Sequence, residues 1–118
     1  MAPPAVESEF GPLPPWIIVR APVDLGMVAA LRLVVEAGES EAITLAYENQ
    51  IRIILDDRKA REAAHRLGIP VTGTVGLLIK AKQAGVVSAI RPILDALDAN
   101  QFRVGEALRA EALRLAAE

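Results

Sequence analysis

The sequence predicts a single α/β domain with a largely parallel sheet, and three observations carry that reading. The 118 residues are 53% hydrophobic but only 3% aromatic, and Ala, Leu, Val and Ile in such excess suit helices packed on a sheet. IRIIL, residues 51–55, is a short β-branched run with one polar interruption, Arg52. It reads as a strand covered on both faces. Helix-period segments stand on either side of it, which is the alternation that builds parallel sheets.

Five of the eight prolines lie in residues 1–15, a proline-rich start before an α/β body at 16–118. Within that start AVESEF is expected to turn helically, entered by Pro3 and Pro4. WIIVR, residues 16–20, is a strand candidate that Pro22 stops. Asp24 reads as the N-cap of a helix running to Gly38, with Leu25, Val28, Leu31, Val34 and Val35 at the helical period. ESEAITLAYENQ is the next helix, then the IRIIL strand. DRKAREAAHRLG follows as a helix with Ala60, Ala63, Ala64 and Leu67 inward, closed by Gly68. IPV is a very short strand. Thr74 is expected to cap a helix ending at Gly85, and Ser88 to cap AIRPILDALDA, with Pro92 in its first turn. FRV is extended. The last helix carries Ala107, Leu108, Ala112 and Leu115 as its apolar stripe. Trp16, Phe10 and Phe102 are assigned to the core.

Several function classes fall away at once. There is no cysteine, hence no disulfide framework, thiol catalysis or thiolate metal site. One histidine, His65, leaves no multi-histidine centre. A net charge of −2 provides no global field for nucleic acid. Without an apolar run of membrane-spanning length or a basic-then-apolar start, a cytoplasmic protein is expected.

The chemistry concentrates in carboxylates. IRIIL runs into Asp56 and Asp57, and ligands of parallel sheets bind beyond the carboxyl ends of the strands. Asp57 also suits the N-cap of the helix that follows. A second acidic group, Glu36, Glu39 and Glu41, opens the preceding helix. There Glu39 lies in line with Ala42, Ile43 and Ala46 and is carried toward the sheet, while Glu41 is expected to face solvent. Converging carboxylates repel, and a hard divalent cation such as Mg²⁺ or Mn²⁺ relieves that. Such an ion readies water for attack on a phosphodiester. Arg58 stands close enough to Asp56 to guide a phosphate, and Lys80 adds charge on a later helix.

GESEAITLA, IRIILDDRKAREAAHRLG, IPVTGTVGLLIKAKQAG, IRPILDAL and FRV, in that order, resemble the C-terminal two thirds of a PIN domain. APPAVESEFGPLPPWIIVR resembles the start of the PIN-like branch of nucleic-acid-binding proteins of unknown function. The resemblance implies a three-layer α/β/α fold and metal-dependent ribonuclease chemistry of the VapC toxin type. It places catalytic acids at Glu9, Glu39 and Asp56. The metal ligands would be Glu39 and Asp56, joined by Asp57 and Glu41, and the ion Mg²⁺ or Mn²⁺. Arg58, Thr74 and Lys80 would contact nucleic acid. RNA, an antitoxin-like protein and a second copy of the chain are the implied partners. The family's first acid, an Asp at the end of an opening strand, has no counterpart here. An N-terminally truncated domain of weak or no activity is therefore expected. The alternative is a non-catalytic interaction or oligomerisation module of toxin–antitoxin descent.

Overall fold

In a computed structural model the backbone is described for all 118 residues, and the side chain for all but Phe10. The chain divides into two compact units, Met1–Thr72 and Gly73–Glu118. The Phe10 core assignment lies outside the described side chains.

The first unit holds α1 (Pro4–Phe10), α2 (Leu25–Leu31), α3 (Ala37–Asn49), β1 (Ile53–Ile54), α4 (Arg58–Arg66) and β2 (Val71–Thr72). β1 and β2 pair in parallel, Ile53 against Val71 and Ile54 against Thr72, so the α/β class holds. Ile43, Ala46, Ile53, Leu55, Ala60, Ala64 and Ile69 form its core. The alanine stripe of α4 packs as its spacing requires, with Ala60 and Ala64 both fully buried. Gly68 closes that helix at φ 73°, a left-handed conformation that glycine adopts without a Cβ penalty. The buried hydroxyls of α3 are satisfied locally. Ser40 Oγ donates to the Ala37 carbonyl and Thr44 Oγ1 to that of Ser40.

Four expectations change here. IRIIL is covered on one face only, since Ile53 and Leu55 are buried while Ile54 is 53% exposed. WIIVR contributes a single parallel bridge, Val19 to Ala2, because prolines on both sides confine the ladder. Its Trp16 is 79% exposed rather than part of the core. The helix expected from Asp24 to Gly38 is two. Asp24 does cap α2, its Oδ1 accepting from Met27 N–H at 2.9 Å. However, α2 ends at Leu31, and α3 starts afresh after Glu36. β-branched Val34 and Val35 propagate a helix poorly, and a new start signal lies just beyond them.

The second unit holds α5 (Thr74–Gln83), α6 (Arg91–Ala99) and α7 (Glu106–Leu115). Val75, Ile90, Leu94, Ala112 and Ala116 form its core. Thr74 is the first helical residue of α5 rather than its cap, which is Gly73. Ser88 does not cap α6, whose N-cap is Ile90. The amides of Ile90 and Arg91 donate instead to the two carboxylate oxygens of Glu118, at 2.8 and 3.2 Å. A distant carboxylate meets those two N–H groups, so no local hydroxyl is needed. On α7 the inward residues are Ala112, Leu113 and Ala116, while Leu108 and Leu115 are about half exposed. The buried stripe is thus rotated from the expected one.

Candidate acidic site

Asp57 is the hinge between strand and helix. Its Oδ2 accepts from Ala60 N–H at 3.0 Å, which fixes the start of α4. Glu39 does the matching job on α3. It sits three residues after the N-cap Glu36, and its carboxylate takes a hydrogen bond from the Glu36 backbone N–H, the returning half of a capping box. Two helix starts thereby converge, each delivering an acid.

Their convergence has an electrostatic consequence. The Glu39 carboxyl is pushed above its ordinary range, first by burial and then by the negative charge of Asp57. Glu36 and Glu9 push in the same direction, and the bond from the Glu36 amide pulls partly back. Capping explains the presence of Asp57 and Glu39. It does not explain why three further carboxyl groups act on Glu39.

Two clefts frame the group. One, of about 490 Å³, is lined by Glu36, Glu39 and Asp57 together with Arg32, Arg58 and Lys59. The other, of about 210 Å³, is lined by Glu9, Glu36 and Glu39 with Ile54 and Leu55 at the end of β1. Glu9 Oε1 lies 3.7 Å from where a side chain at Gly38 would begin, which places α1 against the start of α3. The glycine leaves that approach open.

Of the expected acids, Asp57 shares the larger cleft with Glu39, and Glu9 shares the smaller one with it. Asp56 is exposed on the link from β1 to α4 and lines neither cleft. Glu41 is half-buried on α3. Arg58 borders the larger cleft, its side chain 92% exposed and paired to Glu62 at 3.3 Å. Thr74 and Lys80 belong to the second unit, at the first turn and on the exposed side of α5. Thr72, at the end of β2, is buried and accepts from Arg52 Nη1 at 3.0 Å. Sequence reasoning left Glu36, Arg32 and Lys59 out of the site. The Glu36-x-x-Glu39 spacing was a readable signal for the first, whereas Arg32 joins through a turn no pattern announces.

The chain matches a family model described as DUF3368, a PIN domain, over residues 4–118. The chain belongs to the PIN-domain family. No curated protein and no solved structure matches it. In this PIN domain, a nuclease-like fold, Glu9 of α1, Glu39 of α3 and Asp57 at the start of α4 border the two acidic clefts. No helix among the described residues is long and apolar enough to cross a membrane.

Proposed function

We propose that this PIN domain acts on RNA phosphodiesters through the cluster of Glu39, Asp57, Glu36 and Glu9, with Mg²⁺ or Mn²⁺ as its cation and weak cleavage by the chain alone. The crowding of Glu39 by three further carboxylates carries this reading, because a cation relieves the repulsion. Among the described residues no three acids are close enough together to hold a metal ion. The donor set nevertheless fits Mg²⁺, which binds through one or two carboxylates and keeps its waters. Glu39 and Asp57 would hold it, with Asp56 and Glu41 as further candidates. A cation bound there would activate a water for in-line attack.

The chain's own residues supply the rest. Arg32, Arg58 and Lys59 draw a phosphate to the rim of the cleft. Without a cation the Glu39 carboxyl, raised by burial and then by the charge of Asp57, keeps its proton more readily than an ordinary carboxyl. A two-carboxylate set is smaller than the three or four acids of the family's nucleases, which supports weak activity. The reading includes the family's three-layer α/β/α architecture, a cytoplasmic setting, and an antitoxin-like protein or second copy as partner.

Titration of the full chain with Mn²⁺ tests this by thermal shift and by cleavage of labelled RNA. Binding is expected to stabilise the fold by about 1.4 kcal/mol at ten times Kd, and Glu39→Gln to abolish that gain. RNA cleavage should be slow, cation-dependent and lost in Glu39→Gln. An unchanged melting curve overturns the cation site, and fast cleavage that vanishes in Asp56→Asn overturns the weak-activity reading.

A second reading rests on exposed apolar side chains along one segment. Val23 is 87% exposed, Leu25 71%, Leu33 86% and Val34 58%, apolar side chains that a partner could cover. They favour the non-catalytic module of toxin–antitoxin descent, which predicts partner binding without any RNA cleavage.

A further inference from the structure

A third cleft, of about 290 Å³, is lined by Leu33, Val34, Lys59, Glu62, Ala63 and Arg66. It shares Val34 and Lys59 with the larger acidic cleft, so the two form one path over the start of α4. Spacing on α4 explains the lining. Lys59, Glu62, Ala63 and Arg66 fall at i, i+3, i+4 and i+7, which is one face of a helix. Ala60 and Ala64 take the buried face instead. Lys59 and Arg66 stand two turns apart, about 10 Å along the helix axis.

Charge changes along this path. The acidic cleft sets Arg32, Arg58 and Lys59 against Glu36, Glu39 and Asp57. Beyond Lys59 the one acid of the lining is Glu62, and Arg58 takes up its carboxylate at 3.3 Å. Among the described residues no ion pair engages Arg32, Lys59 or Arg66, and all three are exposed. On a chain of net charge −2 they form a local row of cations leading away from the acids. Such a row attracts a polyanion. The other wall, the turn after α2, presents exposed Leu33 and Val34. A paired duplex keeps its base faces stacked inside, whereas an unpaired strand can lay them on an apolar wall.

We infer that an unpaired RNA strand leaves the acidic site along this path, with phosphates on Lys59 and Arg66 and a base against Leu33 and Val34. The inference rests on the proposed function and adds to it where the nucleotides beside the scissile phosphate run. Arg32, Lys59 and Arg66 then give three phosphate contacts. Neither cleft is lined by an aromatic side chain, so no stacking platform holds the bases and phosphate contacts dominate the affinity. Binding is therefore salt-sensitive and largely indifferent to sequence. A duplex binds less well, because its paired bases do not reach the apolar wall.

The experiment titrates a labelled oligouridine strand with the full chain in chelator, by fluorescence anisotropy across a salt series. Three phosphate contacts predict a slope of log K against log salt of about −2, at about −0.7 per contact. The double variant Lys59→Ala, Arg66→Ala should bind at least tenfold more weakly at about 50 mM salt, with the slope flattened to about −0.7. Its fold is checked by the melting curve, which exposed side chains without ion pairs should leave in place. Arg61→Glu removes the same two units of charge from α4, at a residue that lines neither cleft. Its binding should stay within about twofold of the unaltered chain, and Lys59→Arg should behave likewise. Three outcomes overturn the inference. They are no binding at about 0.1 mM chain, a duplex held as tightly as the single strand, and equal losses in Arg61→Glu and the double variant. With Mn²⁺ added, cleavage whose KM the double variant leaves unchanged also overturns it, while the cation site stands. Single-strand binding that follows the prediction, without any Mn²⁺ response, keeps the path and fails the cation reading instead.

Discussion

Glu39 and Glu118 are both glutamates at helix starts, yet their surroundings push them in opposite directions. Glu39 caps α3, is partly buried and is crowded by Asp57, Glu36 and Glu9, so its carboxyl is raised. Glu118 accepts from the amides of Ile90 and Arg91 and pairs with Lys82 Nζ at 3.0 Å, so its carboxyl is lowered. One is a carboxylate whose charge the fold resists, the other a carboxylate whose charge the fold uses. Unrelieved charge points to a ligand; relieved charge points to architecture.

Breaking the architectural side should give the largest effect. Leu94 is fully buried in the core of the second unit, and Leu94→Ala should destabilise it by about 2–5 kcal/mol, measured by urea unfolding. The Mn²⁺ response of the acidic cluster should survive under native conditions. A cation response lost together with Leu94 would show that the two carboxylates do not report separate regions.

Glu118→Gln comes next. The two amides lose a charged acceptor and Lys82 its partner, so the melting temperature should fall by several degrees at pH 7. Its pH dependence has a definite sign. A lowered carboxyl contributes stability that is present above its ordinary 4.5 and is lost as pH falls through the lowered value. The variant should therefore approach the unaltered chain in acid.

Glu39 should behave in reverse. A raised carboxyl contributes most below 4.5, and that contribution is lost as pH rises through the raised value. Glu39→Gln should remove this decline, seen as a flatter stability profile as pH rises above 4.5. If both variants shift stability in the same direction with pH, the contrast between the two glutamates fails.

The smallest effect separates capping from charge at Asp57. Asp57→Ala loses the cap on α4 and should cost about 1 kcal/mol. Asp57→Asn keeps a capping oxygen and removes the charge next to Glu39. It should leave thermal stability nearly unchanged while bringing the Glu39 carboxyl down toward its ordinary range, followed by NMR titration. A carboxyl that does not move would show that the charge of Asp57 does not raise Glu39.

Much of this was legible from local pattern. The α4 stripe, the Asp24 and Asp57 caps and the closing turns at Gly68 and Gly85 follow from spacing and from residues with special backbone freedom. Helix phase carries Glu39 inward, but the sequence paired it with Asp56, whereas Asp57 is the aspartate that shares its cleft. Other features depend on partners far along the chain. Ser88 was a reasonable cap until Glu118 reached the same amides. WIIVR has strand composition, but prolines leave it one bridge and an exposed Trp16.

What the sequence determined by itself is therefore the α/β class, the run of elements from α3 to β2 and the acids at their ends, since these follow from periodicity, propensity and capping within a few residues. The tertiary structure decided which of two adjacent aspartates faces Glu39. It drew in Glu36, Arg32 and Lys59. Those outcomes depend on how two helix starts meet in space, and no local stretch of sequence encodes that.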